Sequence, residues 1–102
     1  MTFRTLLASV ALMASTTLAQ AADHTVTIAG FAFQPANLTI AAGDTVTFVN
    51  EDGAPHTATQ KGGFDTGRLK KDQSAKLAFA SAGTFDYFCK FHRKMQGQIV
   101  VK

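Results

Sequence analysis

One cysteine, Cys89, is all that the 102-residue chain contains, and that scarcity excludes any disulfide within the chain. The first 21 residues hold no acid and a single base, Arg4, followed by the mostly apolar run Thr5–Leu18 and the small-x-small triplet Ala19-Gln20-Ala21. That order is the pattern of a secretory leader, and it predicts cleavage after Ala21, with Ala19 as the alternative. The run is too short and too interrupted by Ser and Thr for a membrane span. No cysteine follows it to carry a lipid, so no membrane anchor is expected after processing. Residues 1–21 are thus read as leader and residues 22–102 as a single exported domain in the periplasm.

Removing 21 of 102 residues leaves 81, a small core that exported domains often reinforce with disulfides or a metal. With disulfides excluded, a metal is the natural occupant of a lone thiol in an oxidising compartment. The domain keeps nine Lys/Arg against seven Asp/Glu, a formal charge of +2. That is too small for a nucleic-acid protein, and no basic run is interleaved with aromatic residues. A catalytic Ser/His/Asp set, a pair of carboxylates in a cleft and a phosphate-cradling glycine loop are all missing, so the chain does not read as an enzyme. A dinuclear copper centre would need a second cysteine.

What is there has a period of two. Val26 and Ile28 alternate with threonines, then Phe31 and Phe33 stand two apart; Leu38 and Ile40 precede a turn at Gly43-Asp44, then Val46 and Phe48. Leu77 and Phe79 lead to a turn at Gly83, then Phe85, Tyr87 and Cys89, and "QGQIVVK" closes the chain. Short β-branched and aromatic runs between Gly, Asp, Asn and Pro predict an all-β, antiparallel sandwich or barrel. Thr57–Gln73 is less regular. It reads as a long connection between sheets, pinned to the core by Phe64 and Leu69.

The chemistry concentrates in "DYFCKFHRKM". Alternation puts Phe85, Tyr87 and Cys89 on one face, so Cys89 reaches the inner edge where its strand ends. His92 and Met95 follow at spacings of three, on a loop closed by the next strand. A further ligand must come from elsewhere. His24 lies at the new terminus, where fraying is expected, whereas His56 follows "NEDGAP" just beyond a strand and is preferred. His56, Cys89, His92 and Met95 are the candidate ligands of one copper ion. Two imidazoles and a thiolate with a weak thioether are the donors of a type I blue-copper centre. Zinc accepts Cys and His but disfavours a thioether.

These residues resemble the cupredoxins, in the amicyanin and plastocyanin group. The likeness rests on the Cys89–Met95 loop with two residues in each gap, as in amicyanins, and on "AAGDTVTFVNEDGAPH", "FDTGRLKKDQSAKLAFASAGTFDYFC" and "MQGQIVV". It implies a Greek-key β-sandwich with copper near one end. It also implies ligation by His56, Cys89 and His92, Met95 as axial ligand, and His92 as the port for electrons. Three positions depart from the family pattern: Thr57 stands where Asn is common, Lys90 where Ser or Thr is common, and Phe91 where many have Pro.

The function expected is a soluble, monomeric one-electron carrier in the periplasm, shuttling between redox partners such as a donor dehydrogenase, a cytochrome c or both. Phe91 would supply an apolar docking contact, while Lys90, Arg93 and Lys94 would favour partners with an acidic face. The alternative is a copper-binding protein of metal homeostasis without a redox duty.

Overall fold

In a computed structural model the described residues are 20–102, and the apolar part of the leader lies outside them. Seven strands form two sheets: β1 (Asp23–Ala29), β2 (Ala32–Gln34), β3 (Asn37–Ile40), β4 (Thr45–Asn50), β5 (Ser74–Ala78), β6 (Gly83–Phe88) and β7 (Gln96–Val101). One sheet has the order β2-β1-β4-β5 and the other β3-β7-β6. The all-β sandwich is as the alternation predicts, but its pairing is mixed. β1 runs parallel to β4, and β3 parallel to β7. The reason is topological: β3 pairs in the second sheet, so β4 returns beside β1 pointing the same way. Thr57–Gln73 connects β4 to β5 within one sheet rather than crossing to the other. It still reaches the second sheet, where Thr59 and Phe88 exchange backbone hydrogen bonds of 2.8 and 2.9 Å.

The inward faces carry Val26, Ile28, Phe33, Val46, Phe48, Tyr87, Ile99 and Val101, all buried. Phe64 and Leu69 pack here as their sequence context suggests. Tyr87 sits at the centre, its ring 4.7 Å from Phe33, 5.5 Å from Phe48 and 5.8 Å from Phe64, centroid to centroid. Its cross-strand partner is Gly97, where a Cβ would come within 2.3 Å of the tyrosine ring. Glycine is required there because the packed ring has nowhere to move.

The first alternating run breaks at Gly30-Phe31. Both residues have positive φ, 59° and 56°, and they form the two-residue turn between β1 and β2. A hairpin turn of this kind matches strand twist but is unfavourable for a bulky side chain at positive φ. It separates the two phenylalanines: Phe33 is buried and Phe31 is 51% exposed. They do not share a face.

His24 is held rather than frayed. It lies within β1, opposite Val46, and its Nε2 is 2.9 Å from Asp44 Oδ2. The same carboxylate accepts the Ala22 N–H at 2.9 Å and the Ala41 N–H at 3.0 Å. The Ala22 N–H, the His24 imidazole and the Ala41 N–H together hold the Asp44 carboxyl at about 2, below its ordinary 3.8. A depressed carboxyl contributes stability that is present above about pH 4 and lost as pH falls through about 2. Denaturant unfolding measured between pH 4.5 and 2 should therefore show a shallower loss of stability for Asp44→Asn than for the parent chain.

Candidate metal centre

The upstream loop is organised by a buried amide. Asn50, at the end of β4, donates through Nδ2 to Ala54 O at 2.9 Å and to Leu69 O at 2.8 Å, and its Oδ1 accepts the Asp52 N–H at 2.9 Å. These three bonds fold "NEDGAP" back over the sandwich end and tie it to the Leu69 segment. His56 is then locked to Leu69 by a reciprocal backbone pair of 3.0 and 2.8 Å. Its fully buried ring donates Nε2–H to Asp52 Oδ2 at 2.9 Å. That bond sets the tautomer, leaving Nδ1 bare.

The bare nitrogen faces Cys89. His56 Nδ1 lies 3.6 Å from Cys89 Sγ, and the thiol is completely buried. Cys89 stands one residue past β6, on the inner side, as alternation requires. Two ligands bonded to a common metal at about 2.0 Å (nitrogen) and about 2.3 Å (sulfur), near the tetrahedral angle, lie about 3.5 Å apart. The spacing fits a shared metal.

The loop after Cys89 is two tight turns. The His92 N–H bonds Cys89 O at 3.2 Å, the Met95 N–H bonds His92 O at 2.9 Å, and the Cys89 N–H closes the loop on Met95 O at 3.1 Å. Met95 is 5% exposed. His92 is half-buried, its ring 5.1 Å from that of His56. All four candidate ligands gather at one end of the sandwich, and His24 lies toward the other. Among the described residues, no three His, Cys, Asp or Glu side chains close into a metal-sized cluster on their own. His56 and Cys89 make a direct donor contact, the His92 ring lies beside that of His56, and Met95 is buried at the end of the same loop.

Thr57 ties the His56 and Cys89 loops together. Its N–H donates to Cys89 Sγ at 3.4 Å, and its hydroxyl oxygen accepts the Lys90 N–H at 2.9 Å. The hydroxyl also meets Thr59 Oγ1 at 2.9 Å, which donates to Asp65 Oδ1 at 3.1 Å, and Asp65 Oδ2 returns to Lys90 Nζ at 2.6 Å. Burial raises the Asp65 carboxyl, but Lys90, the Gly67 N–H and Thr59 outweigh it and hold it below the ordinary value.

Phe31 and Asp52 were not legible as parts of this region. The Phe31 ring stands edge-on to both imidazoles, 4.9 Å from His56 and 4.8 Å from His92. Asp52 holds the turn that presents it, accepting the Gly30 and Phe31 N–H groups at 2.8 and 2.9 Å. The Phe31 N–H, then the Gly30 N–H and His56, keep the Asp52 carboxyl below its ordinary value against the opposing effect of burial. The available signal was Gly30, which marks a turn capable of reversing the alternation.

At the rim, Phe91 is 46% exposed with Arg68 5.6 Å above its ring. The Arg93 guanidinium sits 5.0 Å over Phe88. Phe31, His92, Arg93, Lys94 and Met95 line a hollow of about 320 Å³. The Lys90 charge is engaged by Asp65.

Comparison with known proteins matches the profile of the cupredoxin-like domain to residues 3–101. The chain belongs to the cupredoxin-like family. It is 36% identical over 87 residues to amicyanin of Paracoccus denitrificans, covering 76% of this chain and 63% of that protein. Plastocyanin of Scenedesmus fuscus is 34% identical over 88 residues, covering 69% of this chain and 86% of the relative. Among solved structures, a Cu(I) amicyanin variant superposes with a TM-score of 0.75 at 33% identity, covering 78% of this chain and 81% of that one. Alignment to the Paracoccus amicyanin thus spans just under two thirds of that cupredoxin's length.

Because the Thr57 hydroxyl is the acceptor for a partly buried N–H, Thr57→Val should destabilise the metal-free protein by about 1–3 kcal/mol. Thr57→Ser keeps the hydroxyl and should retain most of that stability, as read from urea midpoints.

Proposed function

We propose that this cupredoxin is a periplasmic blue-copper one-electron carrier, holding one copper ion through His56 Nδ1, Cys89 Sγ, His92 and Met95, after its leader is removed following Ala21. The observation that carries the reading is the buried 3.6 Å approach of a bare imidazole nitrogen to the only thiol of the chain. The family membership and the likeness to amicyanins and plastocyanins support it. When bound, copper supplies a one-electron couple that thiolate, imidazole and thioether ligands sustain in both oxidation states.

The chain's own residues hold that donor set still. Asp52 fixes the His56 ring, the Thr57 N–H bonds the Cys89 sulfur, and two turns fix the loop from Cys89 to Met95. Donors held this firmly need little rearrangement when charge changes, which favours transfer over catalysis. His92 is the candidate ligand nearest solvent, with exposed Phe31 edge-on to its ring, so a partner comes closest to the centre there. The chain works as a monomer, meeting its redox partners, a donor dehydrogenase or a cytochrome c or both, through this face.

The purified domain with Cu(II) should show an intense thiolate-to-copper band at ~600 nm, which Cys89→Ser removes. Pale absorption alone from the parent chain would overturn the reading in favour of a copper-holding role without redox duty. Charge at the rim makes a second expectation. Lys94 has no ion-pair partner among the described residues, whereas Lys90 is neutralised by Asp65. Electron-transfer rates with an acidic c-type cytochrome should fall as salt rises. Lys94→Glu, which reverses a rim charge with no ion-pair partner, should flatten that dependence in stopped-flow measurements.

A further inference from the structure

We propose that leader removal after Ala21 creates a second metal site away from the first, an amino-terminal Cu(II) or Ni(II) chelate formed by Ala22, Asp23 and His24. The inference rests on the cleavage reading above. A chain that begins Ala-Asp-His carries four nitrogens in succession: the α-amine of Ala22, the backbone amides of Asp23 and His24, and the imidazole Nδ1 of His24. Neighbouring nitrogens close two five-membered rings and one six-membered ring around a single ion. Histidine satisfies this geometry at the third position. None of the three residues is proline, so both amides can lose a proton. Four nitrogens in a plane select Cu(II) or Ni(II). On binding, the terminal ammonium and the two amides release three protons and the imidazole binds neutral, with no change in oxidation state.

The structure supplies the second half of the argument. Asp44 gathers both ends of the tripeptide on one carboxylate, accepting the Ala22 N–H through Oδ1 and facing His24 Nε2 through Oδ2, each at 2.9 Å. Bonding at Nε2 leaves Nδ1 as the bare nitrogen, the one that the chelate requires. This repeats at His24 the device seen at His56, where Asp52 takes Nε2–H at the same 2.9 Å and Nδ1 is left for metal. His24 and Asp23 side chains are 27% and 44% exposed, so the tripeptide is open to ions from solvent.

What opposes chelation is local to the first contacts of β1. Asp23 and His24 are the first two residues of β1, opposite Thr45 and Val46. To wrap an ion they give up the parallel ladder at Thr45, where Ala22 O accepts the Thr45 N–H at 3.0 Å and the His24 amide pairs in turn. They also give up the contacts of the Asp23 carboxylate with Thr45 Oγ1 at 2.6 Å, Thr47 Oγ1 at 3.2 Å and Lys76 Nζ at 3.9 Å. The strand beyond them stays anchored by buried Val26 and Ile28. Along β4, Val46 beside His24 and Asn50 before the His56 loop stand about 13 Å apart at strand rise, so the two sites fill independently. The new site has no thiolate, and its nitrogens favour the divalent ion over Cu(I). It captures and keeps Cu(II).

The exported protein is first weighed by mass spectrometry, which should show Ala22 as its first residue. That chain, with one Cu(II) already at the thiolate centre, is then titrated with Cu(II) in the presence of excess glycine. A further equivalent should be taken up with the EPR signature of four in-plane nitrogens, leaving the thiolate band unchanged. A chain beginning at Ala21, which moves His24 to the fourth position, should lose at least tenfold in affinity for that equivalent, as should His24→Ala. Both keep the first site. Equal uptake by the chain beginning at Ala21, or no further uptake by the chain beginning at Ala22, overturns the proposal. An exported chain beginning at Gln20 would refute the cleavage reading and with it the site in the natural protein. The chelate formed by an engineered Ala22 chain would then stand as chemistry only.

Discussion

A buried thiol facing a bare imidazole nitrogen, Cys89 Sγ against His56 Nδ1 at 3.6 Å, is the contact on which the rest of the structure depends. Neither group can be left in an apolar interior without partners of suitable chemistry. They arrive from different sheets, His56 beyond the end of β4 and Cys89 beyond the end of β6. Their approach is therefore set by how the two sheets pack. Tyr87 is the centre of that packing, with phenylalanines around it and a glycine beneath its ring. A shift of the sheets would move sulfur and nitrogen relative to each other, and the interior is packed too closely to shift freely.

Around the contact, polar groups are used for position. Asn50 spends its amide on loop backbone, Asp52 joins the Phe31 turn to the His56 ring, and Thr57 bonds both the Cys89 sulfur and the Lys90 N–H. Lys90 then closes a circuit through Asp65 and Thr59 back to Thr57. This accounts for two of the departures from the family pattern together. A threonine hydroxyl is shorter than an asparagine amide, yet it reaches the Lys90 backbone, and the lysine side chain adds an ion pair that Ser or Thr could not make. The carboxylates follow one logic at both imidazoles: each takes Nε2 and leaves Nδ1.

Much of this was legible in the chain. Period-two alternation revealed the strands, and it also placed Cys89 on the inner face. The spacing Cys-x-x-His-x-x-Met was informative because a loop of seven residues closed by paired strands can bring three side chains to one end. The legible features were local, depending on neighbours in sequence. Phe31 was misread for the same reason: alternation assigned it to the face of Phe33, and only the left-handed turn at Gly30-Phe31, braced by Asp52 from a distant loop, turned it outward. Lys90 read as a free rim charge because Asp65 is 25 residues away along the chain.

By itself, then, the sequence determined the all-β class, the inward side of each main strand and a donor set that suits copper. Those follow from side-chain period and from the electronic preferences of thiolate, imidazole and thioether. Tertiary structure decided the parallel pairing of β1 with β4 and of β3 with β7, the tautomer of each carboxylate-bound histidine, and which rim charges stay free. These depend on contacts between residues from 4 to 61 positions apart, such as His56 with Asp52 and Asn37 with Gln98. Such contacts exist only once two sheets have closed on one core and brought their loops together at its end.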